Sequence, residues 1–344
     1  MTMHFVTQPD YPQLWERLSE ECRLLHPVCS GDDYSMSPVD KKTDFESLIF
    51  NAYRAIEPAK MFLFPVKEVV CGEEEGEQPA SKENQKKTVI IGVKACDLRS
   101  IKVLDHVFLS GVCEDPFYKA FREATVFVSS DCSGYKDVCF CTWVGLNPFP
   151  EEGFDVNISP ISGGYLFETA TDKGQELIGK VKKFLAEPTQ AQLDQREANR
   201  KKTIEGLNKQ MREQGFTPGL DHERVIRDNF DSEIWEREAE RCVECGACNF
   251  TCPSCHCFFF SDDKQKVWTR EKNWDSCQYK RYARVAGGGN ARQMLAERLR
   301  HRYICKFNFY KDILDVYACT GCGRCVEACI GGIDIRKVAN ELNK

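Results

Sequence analysis

The chain has 344 residues, with 53 Asp and Glu against 47 Lys and Arg, giving a formal net charge of −6. Its 42% hydrophobic and 29% charged residues are ordinary for a soluble globular protein of two domains, or one large domain with an appendage. No basic stretch stands out, which argues against nucleic acid as a partner. The longest apolar runs, such as residues 61–66 and 88–93, are far too short to span a bilayer. Residues 1–10 lack the basic head and apolar core of a signal peptide, so the expected setting is cytoplasmic, with no membrane.

In chain order, the first clear element is a short apolar run at residues 87–94 (KTVIIGVK), read as a strand, with Cys96 and Asp97 just after it. Residues 98–108 (LRSIKVLDHVF) put Ile101, Leu104 and Phe108 on one helical face. A shorter helical piece at 118–123 leads into a second strand at 124–129 (ATVFVS). Strand, helix, strand is most simply a parallel unit of an α/β sheet. Residues 165–170 read as a further strand and 174–185 as a helix. Residues 71–87 read as a polar surface loop. Residues 188–229 are too charged to form a core and read as an exposed helical spacer.

Twenty cysteines dominate the rest of the reading. A cytosolic chain keeps its thiols reduced, so closely spaced cysteines point to metal ligands. Cys242, Cys245, Cys248 and Cys252 follow the spacing C-x2-C-x2-C-x3-C with Pro253 next, and Cys319, Cys322, Cys325 and Cys329 repeat it. In this pattern one loop supplies three thiolates to a 4Fe–4S cubane, while the fourth cysteine reaches across to the other cluster. The expected ligand sets are therefore Cys242, Cys245, Cys248 and Cys329 for one cluster, and Cys319, Cys322, Cys325 and Cys252 for the other. Zinc sites use ligand pairs parted by a longer loop, which fits poorly. Gly246, Ala247, Gly321 and Gly323 keep both loops small.

A third 4Fe–4S cluster is expected from Cys96, Cys132, Cys139 and Cys141. Cys96 and Cys132 each follow a predicted strand, and parallel strands joined by a right-handed crossover end on the sheet edge where such folds build their sites. The alternative is four thiols buried as small hydrophobes. Inside the 66-residue insertion between the motifs (253–318), Cys255, Cys257, Cys277 and Cys305 stay unassigned, with packing favoured over ligation. Cys22, Cys29, Cys71 and Cys113 look isolated, and His256 and His301 make poor ligand candidates. Trp235, Trp268, Trp274, Tyr279 and Tyr282 are expected to shield the clusters from water. The sequence carries no dinucleotide fingerprint, P-loop or nucleophile elbow; Gly287-Gly288-Gly289-Asn290 has neither the spacing nor the context of one. No catalytic residue is therefore assigned.

Several stretches resemble a known family: 235–263 (WEREAERCVECGACNFTCPSCHCFFFSDD), 274–277, 286–288, 319–335 (CTGCGRCVEACIGGIDI), 92–101 (GVKACDLRSI) and 132–155 around Cys139-Phe140-Cys141. Together they are similar to the iron–sulfur beta subunit of soluble NAD(P)-linked hydrogenases and sulfhydrogenases. They also resemble the matching subunits of anaerobic sulfite reductase and of flavin oxidoreductase–heterodisulfide reductase complexes. Three departures stand out: Ile330 in place of proline, and Gly289 and Cys305 where histidine is common.

The resemblance implies an electron-transfer subunit working between a flavin subunit that handles NAD(P)H and a terminal catalytic subunit, in an anaerobic complex. A stand-alone iron–sulfur reductase of a small sulfur compound and a redox sensor or structural module are the competing readings. The expected architecture is an α/β domain over 1–186, a charged helical spacer over 187–230, and an α-helical ferredoxin-like dicluster domain with a large insertion over 231–344.

Overall fold

The computed structural model of the chain describes residues 2–40, 43–48, 50–72, 87–264 and 267–344. The N-terminal half holds β1 (Thr2–Thr7), α1 (Asp10–Ser19), β2 (Arg23–Ser30), β3 (Asp33–Pro38), β4 (Lys67–Gly72), β5 (Thr88–Val93), α2 (Ala95–Leu109), α3 (Pro116–Ala124), β6 (Thr125–Ser130), β7 (Val156–Ile161), β8 (Gly164–Thr169) and α4 (Asp172–Gly179). Seven of these strands form one sheet in the order β1-β8-β7-β6-β5-β2-β3. Its four central strands are parallel and both edges are antiparallel.

The parallel unit expected from residues 87–129 is present, because the apolar runs of β5 and β6 are buried on both faces. Val89, Ile91, Val126 and Val128 pack on one side with Leu14 and Trp15 of α1 and Leu177 and Ile178 of α4. Ile90 and Phe127 pack on the other with Ile101, Leu104 and Phe108 of α2 and Tyr118 of α3. A strand covered on both faces shows no polar alternation, so it reads as a continuous apolar run. The helix expected at 174–185 begins at Asp172, capped by Thr171, and stops at Gly179. A single 3-10 turn, Lys182–Phe184, follows it. Most of the polar loop expected at 71–87 lies outside the described residues.

The charged stretch becomes one long helix, α5 (Gln190–Glu213), opened by a capping box in which Thr189 accepts from the Gln192 amide and the Gln192 side chain accepts from the Thr189 amide. It is more than a spacer. One stripe, Thr203, Leu207 and Met211, is buried. Arg200 reaches Asp131 at 2.7 Å, and Thr203 donates to the Cys132 carbonyl at 3.2 Å. The helix therefore closes over the C-terminal end of β6.

The C-terminal part contains α6 (His222–Asp228), α7 (Ile234–Ala239), α8 (Ala247–Phe250), β9 (Phe258–Lys264), β10 (Trp268–Trp274), α9 (Leu295–Ile304), a π-helical turn at Cys305–Phe309, α10 (Tyr310–Leu314), α11 (Arg324–Glu327) and α12 (Ile335–Glu341). The helices share a core built on Trp235, Leu299, Tyr303, Phe307, Ile335 and Val338. The β9–β10 hairpin recruits β4 from the N-terminal half to make a three-stranded antiparallel sheet.

Lys272 of β10 fastens this small sheet to the large one. Its ammonium is buried between Glu68 at 2.5 Å and Asp115 at 2.6 Å. Asp115 is also the cap of α3. Removing one partner of a buried ion cluster strands the other charges. Lys272→Met should therefore destabilise the protein by about 3–5 kcal/mol, seen as a lowered melting temperature. An unchanged melting curve would contradict this role.

Candidate functional site

The two cysteine motifs fold into matching loops. Glu244 and Gly246 in the first, and Gly321 and Gly323 in the second, all have positive φ, so each chain coils back on itself before a one-turn helix begins. The first of these positions is Glu in one loop and Gly in the other for a steric reason. A Cβ on Gly321 would lie 2.5 Å from the Cys141 backbone. Glu244 is part-exposed, and its carboxylate pairs with Arg298 at 2.9 Å.

Cys242, Cys245, Cys248 and Cys329 line a single cavity closed by Arg302, Tyr303, Leu299, Ile333 and Ile335. The distant Cys329 thus faces the first three, and the Ile333 amide donates to its sulfur at 3.2 Å. In the second group, Cys319 lies within electrostatic range of Cys322, Cys325 and Cys252. Cys325 also lines the first cavity and faces Cys248, so one residue stands between the two groups.

The upstream cysteines converge as well. Cys96, Cys132, Cys139 and Cys141 line one cavity together with Lys94, Arg54, Gly321 and Cys322. Parallel pairing of β5 with β6 carries both chains off the same sheet edge, which brings Cys96 beside Cys132. A bulge at Gly92, with φ +77°, turns the end of β5. The Asn51 amide fills the space where a side chain would be and donates to the Gly92 carbonyl at 2.8 Å.

The loop carrying Cys139 and Cys141 is tied to the second motif. Phe140 donates its amide to the Gly321 carbonyl at 2.8 Å. Two arginines cross in opposite directions. Arg54 donates to the Cys322 carbonyl at 2.9 Å and pairs with Glu327. Arg324 donates to the Ala55 carbonyl at 2.9 Å and to Asp97 at 3.0 Å.

Burial pushes the thiols of Cys132 and Cys248 up to about 11, and that of Cys325 up to about 12. Left alone, these thiols keep their protons; ligation by a metal would remove them. The cations around them have the opposite need. Lys60, Lys94, Arg302 and Lys306 are buried. Among the described residues none of the four has a carboxylate within ion-pair distance. Lys94 donates to two carbonyls and the Ser130 hydroxyl, and Lys60 to two carbonyls. Lys306 donates to Ser254, and Arg302 to the Cys255 sulfur at 3.6 Å. Burial lowers Lys60 and Lys94 to about 8, an effect opposed by nearby cysteine sulfurs. A thiolate-ligated 4Fe–4S cluster carries net negative charge, so the donor set and the buried cations fit it together. No spacing signal marks these cations in the sequence, although Lys94 and Arg324 adjoin the cysteine segments.

His256 is spoken for, with Nδ1 at 3.1 Å from the Ser254 carbonyl and Nε2 at 3.1 Å from the Tyr310 hydroxyl. Burial lowers it to about 4, so the ring is neutral. Tyr279 donates to the Cys245 carbonyl at 3.1 Å, and Trp274 stacks on Phe250 of α8. Tyr282 stands against Cys257. Trp235 is in the helical core. Trp268 is different: it opens β10, paired with Lys264 at the end of β9.

Residues 241–333 match the family described as 4Fe-4S dicluster domain. The paired loops, the cavities and this match define an iron–sulfur electron-transfer protein. Over 336 residues, covering 97% of this chain and 96% of the relative, it is 30% identical to the sulfhydrogenase 2 subunit beta of Pyrococcus furiosus. The chain belongs to the sulfhydrogenase beta-subunit family.

The contact at Gly321 is testable by substitution. Gly321→Ala adds a backbone clash to a left-handed conformation and should cost about 2–5 kcal/mol. Glu244→Gln, at the matching part-exposed position, keeps an acceptor for Arg298 and adds no backbone contact, so it should cost no more than about 1 kcal/mol. Thermal melts of the two variants make the comparison, and equal effects would contradict the steric account.

Proposed function

We propose that the chain conducts single electrons within a multisubunit complex, using three 4Fe–4S sites set in a row. Cys242, Cys245, Cys248 and Cys329 would hold one cluster. Cys319, Cys322, Cys325 and Cys252 would hold the second, and Cys96, Cys132, Cys139 and Cys141 the third. When bound, such clusters supply one-electron carriers whose potentials follow their charge, hydrogen bonding and exposure.

The observation that carries this reading is the sharing of residues between neighbouring sites. Cys322 of the second motif lines the upstream cavity, and Cys325 lines the first-motif cavity. Adjacent sites are thus separated by a ligand residue and little else. The protein's own contribution is to keep this row dry and to fix its charge. Tyr303, Leu299, Ile333 and Ile335 wall the first cavity, and Leu207 of α5 covers the upstream one. Arg302 faces cysteines of both motif groups, a position that favours the added negative charge of a reduced state.

One end of the row reaches the surface. Cys245 is exposed, and beside it Val243 is 59% and Ile330 78% exposed. Proline at position 330 would remove an amide but also the exposed isoleucine side chain. This rim suits docking of a partner subunit. The partners that fit the family are a flavin subunit handling NAD(P)H and a terminal catalytic subunit of hydrogenase, sulfite reductase or heterodisulfide reductase type, in the cytoplasm of an anaerobe. Among the described residues no helix is long and apolar enough to cross a membrane. The functional division is an α/β part over 1–186, α5 and its flanks over 187–230, and a ferredoxin-like dicluster part with its hairpin insertion over 231–344.

Iron analysis of a double variant tests the third site. Anaerobically purified Cys139→Ser/Cys141→Ser should carry about four fewer irons per chain than the wild type, with the motif clusters retained. An unchanged iron content would reject the third site.

A further inference from the structure

A hydroxyl buried in a protein gives up its water and needs a partner inside the fold. Among the described residues, three buried hydroxyls have no hydrogen-bond partner: those of Thr142, Tyr303 and Thr320. All three stand at the cysteine sites. Thr142 follows Cys141, Thr320 follows Cys319, and Tyr303 lines the cavity of Cys242, Cys245, Cys248 and Cys329. Hydroxyls without a partner at each of the three sites point to acceptors that the polypeptide itself does not supply.

Tyr303 is the most constrained of the three. It lies in the last turn of α9, 1% exposed, and its ring packs edge-on against Trp235 with centroids 5.1 Å apart. The ring therefore cannot swing its oxygen out to water. The carboxylates in its surroundings are engaged elsewhere, Glu238 with Arg241 at 3.2 Å and Asp334 with Arg336 at 2.8 Å. Burial holds the hydroxyl well above the ordinary tyrosine pKa, so it keeps its proton and stays a donor. Phenylalanine would fill the same core space without the cost of an unpaired oxygen. What remains for the hydroxyl is the cysteine-lined cavity that Tyr303 helps to close.

We propose that the Tyr303 hydroxyl donates a hydrogen bond to sulfur of the cluster held in the first-motif cavity, and thereby raises the potential of that centre. The proposal deepens the electron-transfer reading above and rests on it. An added electron makes a thiolate-ligated cluster more negative, which strengthens a hydrogen bond donated to its sulfur. The donor therefore stabilises the reduced form more than the oxidised one. Arg302, the preceding residue, lines the same cavity and acts in the same sense through its charge. This cavity lies at the surface end of the row, beside the exposed Cys245. The hydroxyl thus makes the surface-end centre easier to reduce.

The test is an anaerobic redox titration of the full-length protein followed by electron paramagnetic resonance, with iron measured per chain. In Tyr303→Phe the iron content should match the wild type, and one centre should become harder to reduce. Its ratio of reduced to oxidised form at a fixed potential should fall about tenfold, a downward shift of about 59 mV. Site-specific replacement of Tyr303 by 3-fluorotyrosine, a stronger donor of nearly the same size, should move the same centre up. A purely structural role would not give shifts of opposite sign. Full iron in Tyr303→Phe with unchanged potentials overturns the proposal. If Tyr303→Phe loses iron or does not fold, the fluorotyrosine protein decides, and unmoved potentials there overturn it equally. Failure of the electron-transfer reading itself would show in the wild type, as a chain without redox-active iron, so the two failures are distinguishable.

Discussion

The contact between the 138–141 loop and the second cysteine motif holds the arrangement together. Phe140 bonds the Gly321 carbonyl, and the Cys141 backbone occupies the space a side chain at 321 would fill. Arg54 and Arg324 then cross the same boundary in opposite directions, each satisfying carbonyls of the other side. Any slip of one loop against the other would strand two buried guanidinium groups, a cost of several kcal/mol. The sheet edge and the dicluster part are thereby registered to each other, and Cys322 is set against the upstream cysteines.

Charge balance is the second constraint, and it links folding to metal loading. Lys60, Lys94, Arg302 and Lys306 are buried without carboxylate partners among the described residues, beside thiols that burial alone would keep neutral. Neither side of this arrangement is comfortable without the other. With iron bound at the proposed sites, thiolates would answer the cations, and the cations would lower the cost of the thiolates. The same positive charges sit where they favour reduced, more negative centres. On the proposed ligand sets, structure and electron transfer would draw on one set of residues.

How much of this was legible in the sequence follows from where its signals are local. The two motifs repeat within eleven residues each, so their loops could be read directly. The doubly covered strands β5 and β6 were legible as apolar runs. Convergence of Cys96 with Cys132, Cys139 and Cys141 followed from handedness and sheet-edge geometry, without any spacing rule. The strands β2 and β3 escaped notice because β2 carries Pro27 and His26, and β3 is polar and only half-buried. The pairing of β4 with β10 joins segments almost two hundred residues apart, and no local pattern records it. α5 looked like a spacer because only one narrow stripe of it is buried.

The central claim is that eight motif cysteines hold two cubanes closely enough to act as neighbouring carriers. Electron paramagnetic resonance of the oxygen-free, fully reduced chain tests it most directly. The account predicts a broadened spectrum from magnetically interacting 4Fe–4S centres. A spectrum of isolated, non-interacting signals, or a protein that holds zinc and no paramagnetic iron, would contradict it.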